Sequence, residues 1–163
     1  MADWINILLK AFWCGSAAVG FGILFNVAKE NLIVVMLGGF IVGLIKFSAL
    51  KYVSPSIVLA SFLAALVMGI YSMIIAQIRH EPLMTYATPS VIPLVPGVFA
   101  YRTMFGLIKL SSAAGDEYSR ILSDTARNGA LTLFIILSFV LGIIIPYQIG
   151  KDISRKIVKK GMV

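Results

Sequence analysis

The residues of this sequence best suited to bind a ligand surround a proline-glycine step in its second half, Pro96-Gly97. Four of the six prolines lie between Pro82 and Pro96, among residues that are largely apolar. Each proline inside a helix removes a backbone donor and clashes with the preceding turn, so no continuous helix is expected through this stretch. A new helix is expected from Gly97 to about Ser111, and its first amides would point at whatever occupies the break.

The chemistry that such a break offers is the binding of a carboxylate. The amides and the partial positive charge of a helix N-terminus favour an anion. Arg102 follows about one turn into the same helix and adds a permanent cation suited to bidentate carboxylate binding. The alternative is a kinked structural helix in which Arg102 snorkels or pairs with an acidic residue of a partner.

Other polar residues of the apolar regions have simpler interpretations. Lys46 lies near the end of the second apolar run, where a snorkelling lysine is favoured over a substrate ligand. Asn26 closes the first run, and a C-cap and a pore role are equally compatible with that position. The only cysteine, Cys14, and the only histidine, His80, lack companions, so neither a metal site nor a cofactor is expected.

Composition identifies the elements that must position these residues. Hydrophobic residues make up 60% of the 163 and charged residues 13%, against about 25% charged in a soluble domain. Windows of about 20 apolar residues therefore predict an all-α polytopic membrane protein with one transmembrane domain, 1–163. About five transmembrane helices are predicted, the fourth broken by the IPxxPG motif: 4–27, 32–50, 56–77, 88–110 and 130–149.

Charge predicts the orientation of these spans in the bilayer. Residues 116–128 pair Asp116 with Arg120 at helical spacing and are expected to extend the last helix as a polar stretch. Residues 150–163 form a basic tail, which the positive-inside rule places in the cytoplasm. The basic residues are concentrated at helix ends and in this tail, so the net charge of +7 does not indicate nucleic acid. With five crossings the N-terminus is outside; if the broken segment is re-entrant, both ends are cytoplasmic.

Two stretches resemble the threonine/serine exporter family: GFGILFNV, residues 20–27, and VIPLVPGVFAY, residues 91–101. The size and the order of the spans are similar to the small membrane subunit of its split members, which include the small component of a bacterial succinate exporter. The resemblance implies a larger partner subunit of the same family. It also implies functional roles for Asn26, Pro93, Pro96, Gly97 and Tyr101.

These observations lead to a functional hypothesis. The chain is expected to be a subunit of a secondary exporter in the bacterial inner membrane, acting with the larger subunit or as a homo-oligomer. Its cargo would be a small carboxylate-bearing metabolite, either threonine and serine or a dicarboxylate such as succinate. The alternative is a structural or regulatory subunit that scaffolds another membrane protein and has no substrate site. An enzyme is not expected, because no nucleophile or phosphate-binding motif is found.

Overall fold

The computed structural model describes the backbone of residues 2–112 and 114–160 and the side chains of residues 3–112 and 114–150. The side chains of the predicted basic tail beyond residue 150 lie outside the described residues. All regular structure in the described part is helical, which confirms the predicted all-α class. The α-helices are α1 (Ala2–Leu24), α2 (Leu32–Tyr52), α3 (Ile57–Arg79), α4 (Met84–Val91), α5 (Gly97–Leu110) and α6 (Gly115–Lys160).

Four helices, α1, α2, α3 and α6, are long and apolar enough to cross a membrane, and α4 with α5 makes a fifth candidate if the pair forms one broken span. An 18-residue window in each of the four long helices has a mean hydropathy between 1.7 and 2.5. Large apolar side chains nevertheless stay exposed, among them Trp13, Ile33 and Leu133. Exposed apolar surface on this scale requires a lipid environment. The chain is therefore a polytopic membrane protein.

The chain divides into two compact units, and each has its own set of packed helices. The first unit comprises residues Met1–Leu94 and Ser138–Val163, and so contains α1 to α4 and the second half of α6. The second unit comprises Val95–Leu137, and so contains α5 and the first half of α6. In the second unit, Gly106 packs directly against Thr125, which brings α5 and α6 into close contact.

In the first unit, α1 and α2 are packed through the glycines of the second helix. A Cβ added at Gly39 would lie 2.6 Å from the Cβ of Ala18, and one at Gly43 would lie 3.0 Å from the Cα of Ala11. The two backbones therefore approach closely, as the GxxxG spacing allows. The helices are antiparallel, because Asp3 at the start of α1 and Lys51 at the end of α2 form an ion pair of 2.7 Å.

The second half of α6 runs parallel to α3 within the same unit. A Cβ at Gly142 would lie 2.6 Å from the Cβ of Ala65, and Gly150 meets the side chain of Met73 further along both helices. Helix α3 is antiparallel to α2, because Tyr71 donates to the carbonyl of Val34 at 2.9 Å and Gly38, one turn later in α2, meets Met68. The end of α6 at residue 150 therefore lies at the opposite end of this unit from Asp3.

The Pro-rich stretch is more helical than its sequence predicts. Residues Met84–Val91 form α4 with Pro89 inside it, and a 3-10 turn follows at Ile92–Leu94. The expectation that no continuous helix runs through this stretch is confirmed. A short helix still forms, because Pro89 costs it only one backbone hydrogen bond and the tighter turn accommodates Pro93. The predicted break in the fourth span is confirmed, but it is confined to Val95 and Pro96.

Candidate functional site

The start of α5 presents uncapped backbone amides. Pro96 precedes the helix with φ of −77° and ψ of 56°, and no side chain caps the helix there. The amide of Gly97 donates to the carbonyl of Val95 at 2.8 Å. The next two amides, of Val98 and Phe99, find no backbone acceptor among the described residues. A Cβ added at Gly97 would meet nothing within 4 Å, so the space beside this helix start is open.

Two further predicted site residues follow on the same helix. Tyr101 is 68% exposed and stacks on Phe105, with ring centroids 6.0 Å apart and planes 7° from parallel. Arg102 is also exposed, and within the described part of the chain it has no hydrogen bond or ion pair. Both side chains are therefore available to a ligand or to another chain.

Asn26 adopts the left-handed conformation that ends α1. Its φ is 58°, its amide donates to the carbonyl of Ile23 at 3.0 Å, and Val27 donates to Gly22 at 2.9 Å. This pair of bonds is the Schellman motif, in which asparagine often replaces glycine at the left-handed position. The C-cap interpretation is confirmed, and the exposed side chain is left to line a cleft described below.

The structure places the six predicted site residues in both units. The second unit holds four of them in one short stretch at the beginning of α5: Pro96, Gly97, Tyr101 and Arg102. The first unit holds the other two, and they are not neighbours. Pro93 is half-buried in the 3-10 turn after α4, whereas Asn26 follows α1.

Lys46 is buried, with 9% of its surface exposed, and the expectation that it snorkels is wrong. Its ammonium donates to the carbonyl of Leu94 at 3.0 Å and lies 5.7 Å from the ring centroid of Phe139. Leu94 is the last residue before the break, so its carbonyl lacks the amide that a continuous helix would provide. An unpaired carbonyl at membrane depth is costly, and the lysine supplies the missing donor.

Glu81 is a candidate residue that sequence reasoning missed. The side-chain amide of Asn31 donates to both of its carboxylate oxygens at 2.8 Å, and the hydroxyl of Tyr86 donates to one of them at 2.8 Å. Asn31 and Tyr86 are 2% and 0% exposed. The sequence places Glu81 beside Arg79 at a helix end, and no pattern in it indicates that two buried donors hold the carboxylate.

A cleft of about 380 Å³ opens beside this carboxylate. It lies at the end of the first unit where α1 ends and α4 begins, which is also the end reached by residue 150. We call it the Glu81 cleft; it is lined by Phe25, Asn26, Val27, Ala28, Glu81, Met84, Thr85, Thr88 and Pro89. Within the described residues, no group of three or more His, Cys, Asp or Glu side chains is placed to hold a metal ion.

Long apolar helices together with an interrupted span, a buried lysine and open helix-start amides are typical of membrane transporters. Residues 10–149 match the family model described as threonine/serine exporter, ThrE. The chain belongs to this family of membrane exporters, which confirms the resemblance seen in its two sequence stretches.

One curated relative extends the comparison. The chain is 27% identical over 147 residues to an uncharacterized protein of Haemophilus influenzae, in an alignment that covers 86% of this chain and 45% of that protein. The chain thus spans less than half the length of this relative. No solved structure matches the chain significantly.

Proposed function

We propose that the chain is the small membrane subunit of a secondary exporter and acts with a larger subunit of the same family. The cargo is a small carboxylate-bearing metabolite, threonine and serine or a dicarboxylate such as succinate. The observation that carries this proposal is the span interrupted at Val95 and Pro96, with open amides at the start of the helix that follows. Discontinuous helices of this kind hold anionic groups of substrates in other transporters.

The charge at the start of α5 supports an anionic ligand. Arg102 follows the free amides of Val98 and Phe99, and residues 95–112 contain no acidic side chain to offset it. The proposed site therefore comprises Pro96, Gly97, Tyr101 and Arg102 in the second unit. Pro93 and Asn26, in the first unit, are further positions that the family implies.

The number of spans supports a second subunit. Inverted-repeat carriers typically gather about ten helices or more, whereas this chain offers at most five spans. Exposed Tyr101 and Arg102 then face the matching region of the partner. A homo-oligomer is the other assembly that would double the number of helices.

The orientation follows from the basic residues of the tail and the geometry of the first unit. The positive-inside rule assigns the tail to the cytoplasm of a bacterial inner membrane. Residue 150 and Asp3 lie at opposite ends of the first unit, so Asp3 is extracytoplasmic and the chain crosses the membrane an odd number of times. The interrupted segment, which is the fourth span in chain order, then also crosses the membrane and brings the number of crossings to five.

Efflux from vesicles that contain both subunits tests the proposal. We expect Arg102→Ala and Gly97→Leu each to lower efflux at least about tenfold, because one removes a carboxylate ligand and the other fills the space beside the open amides. Lys109→Ala is the matched control, since Lys109 is an exposed cation of the same helix that lies over Phe105. If both variants transport as well as the control, the site is elsewhere, and a scaffolding subunit without a substrate site becomes the better description.

A further inference from the structure

We infer that the Glu81 cleft is a binding site for the primary ammonium group of a zwitterionic cargo, and that it shares only Asn26 with the residues proposed above or implied by the family. The inference rests on the proposed function, because it states which of the two proposed cargo classes the exporter accepts. It is carried by a half-buried carboxylate that lines a cleft of mixed polar and apolar residues at one end of the first unit.

No cation forms an ion pair with Glu81 among the described side chains. The only ion pair among the described side chains joins Asp3 and Lys51, at the other end of the first unit. Asn31 and Tyr86 are neutral donors, so they fix the carboxylate without neutralising it. A carboxylate has about four acceptor positions, which leaves room for another donor from the cleft.

The shape and lining of the cleft suit a small amino acid. Its volume of about 380 Å³ lies within the roughly 300–1,000 Å³ that small-molecule pockets occupy. Asn26 and the hydroxyls of Thr85 and Thr88 offer polar contacts for a carboxylate or a hydroxyl group. Phe25 and Pro89 provide apolar walls for a short aliphatic side chain.

The position of the cleft suits the uptake of cargo for export. The cleft and residue 150 lie at the same end of the first unit, and the proposed orientation assigns that end to the cytoplasm. A cytoplasmic amino acid would therefore have direct access to Glu81. A dicarboxylate carries two negative charges and no ammonium group, so Glu81 repels it.

The test measures efflux of threonine and of succinate by the chain together with the larger family subunit in vesicles. We expect Glu81→Gln to raise the half-saturating threonine concentration at least about tenfold, because the amide cannot pair with an ammonium group. The glutamine oxygen still accepts from Asn31 and Tyr86, so the local fold is retained. Glu30→Gln is the matched control, since Glu30 is an exposed carboxylate at the same end of the unit.

A second variant separates a loss of threonine binding from misfolding of Glu81→Gln. Thr85→Val changes the lining of the Glu81 cleft without touching the donors of the carboxylate, and we expect it to weaken threonine binding severalfold. N-acetylthreonine, which lacks the ammonium group, should be a poor substrate of the wild type and should be unaffected by Glu81→Gln.

The possible failures are distinguishable. Unchanged threonine efflux in Glu81→Gln and Thr85→Val, with the wild type active, overturns the inference and leaves the proposed function standing. Efflux of succinate but not of threonine by the wild type also overturns the inference and leaves the proposed function standing. A dependence on sodium that Glu81→Gln abolishes, with the preference between cargoes unchanged, also overturns it, because the cleft would then hold a free cation. A wild type that moves neither compound refutes the proposed function together with this inference.

Discussion

Lys46 and Glu81 are ionisable side chains that are buried or half-buried, and each forms a hydrogen bond to a residue far away along the chain. Lys46 donates to a carbonyl 48 residues later, and Glu81 accepts from an amide 50 residues earlier. The sequence predicts that Lys46 snorkels and does not single out Glu81, because local pattern carries no information on such remote partners. The role of Asn26 as a C-cap can be predicted from the sequence, because it depends only on the residues beside it.

At the residue scale, we predict that Lys46→Met destabilises the protein by about 1–3 kcal/mol, because it leaves the carbonyl of Leu94 without a donor in apolar surroundings. Lys46→Arg keeps a donor and should lose less. The measurement is thermal unfolding of the purified protein in detergent, followed by tryptophan fluorescence.

Lys10→Met is the control for this prediction. Lys10 is exposed and lies 5.4 Å from the ring centroid of Phe47, so its loss removes a ring contact of similar kind but leaves no carbonyl unpaired. Equal unfolding temperatures for the two methionine variants would contradict the role assigned to Lys46.

At the scale of the elements, hydropathy and the Pro-Gly step were sufficient to predict the helical class and the break before α5. They do not predict α4, because Pro89 lies inside this helix and a proline normally interrupts a helix. The sequence also does not predict that α3 and the end of α6 run parallel to each other. It depends on contacts such as Gly142 with Ala65, which lie far apart in the sequence.

The course of the helices, together with the proposed cytoplasmic tail, predicts which ends of α1 and α2 face the outside of the cell. In a variant with Cys14→Ala, which removes the only native cysteine, Asp3→Cys should react with a membrane-impermeant maleimide on intact cells. Glu30→Cys, between α1 and α2, should react only after permeabilisation. Labelling of both positions from one side would contradict the antiparallel packing of α1 and α2, and labelling with the sides reversed would contradict the cytoplasmic tail.

At the scale of the whole molecule, the described residues of each unit include charged or hydrogen-bonding groups that can accept a further partner. The first unit leaves the charge of Glu81 open to a cleft, and the second leaves Arg102 and the first amides of α5 without partners among the described residues. Both observations agree with a transporter subunit whose ligand and partner complete it. The length of the exposed apolar helices agrees with a protein that packs against further helices in the bilayer.

The most direct test of the central claim, that the interrupted span binds the carboxylate of the cargo, is a structure of the assembled exporter with threonine bound. We predict a ligand carboxylate within hydrogen-bonding distance of the amides of Val98 and Phe99, with the Arg102 guanidinium on the same ligand. Apolar side chains of the partner packed over the start of α5, with the ligand bound elsewhere, would contradict the claim.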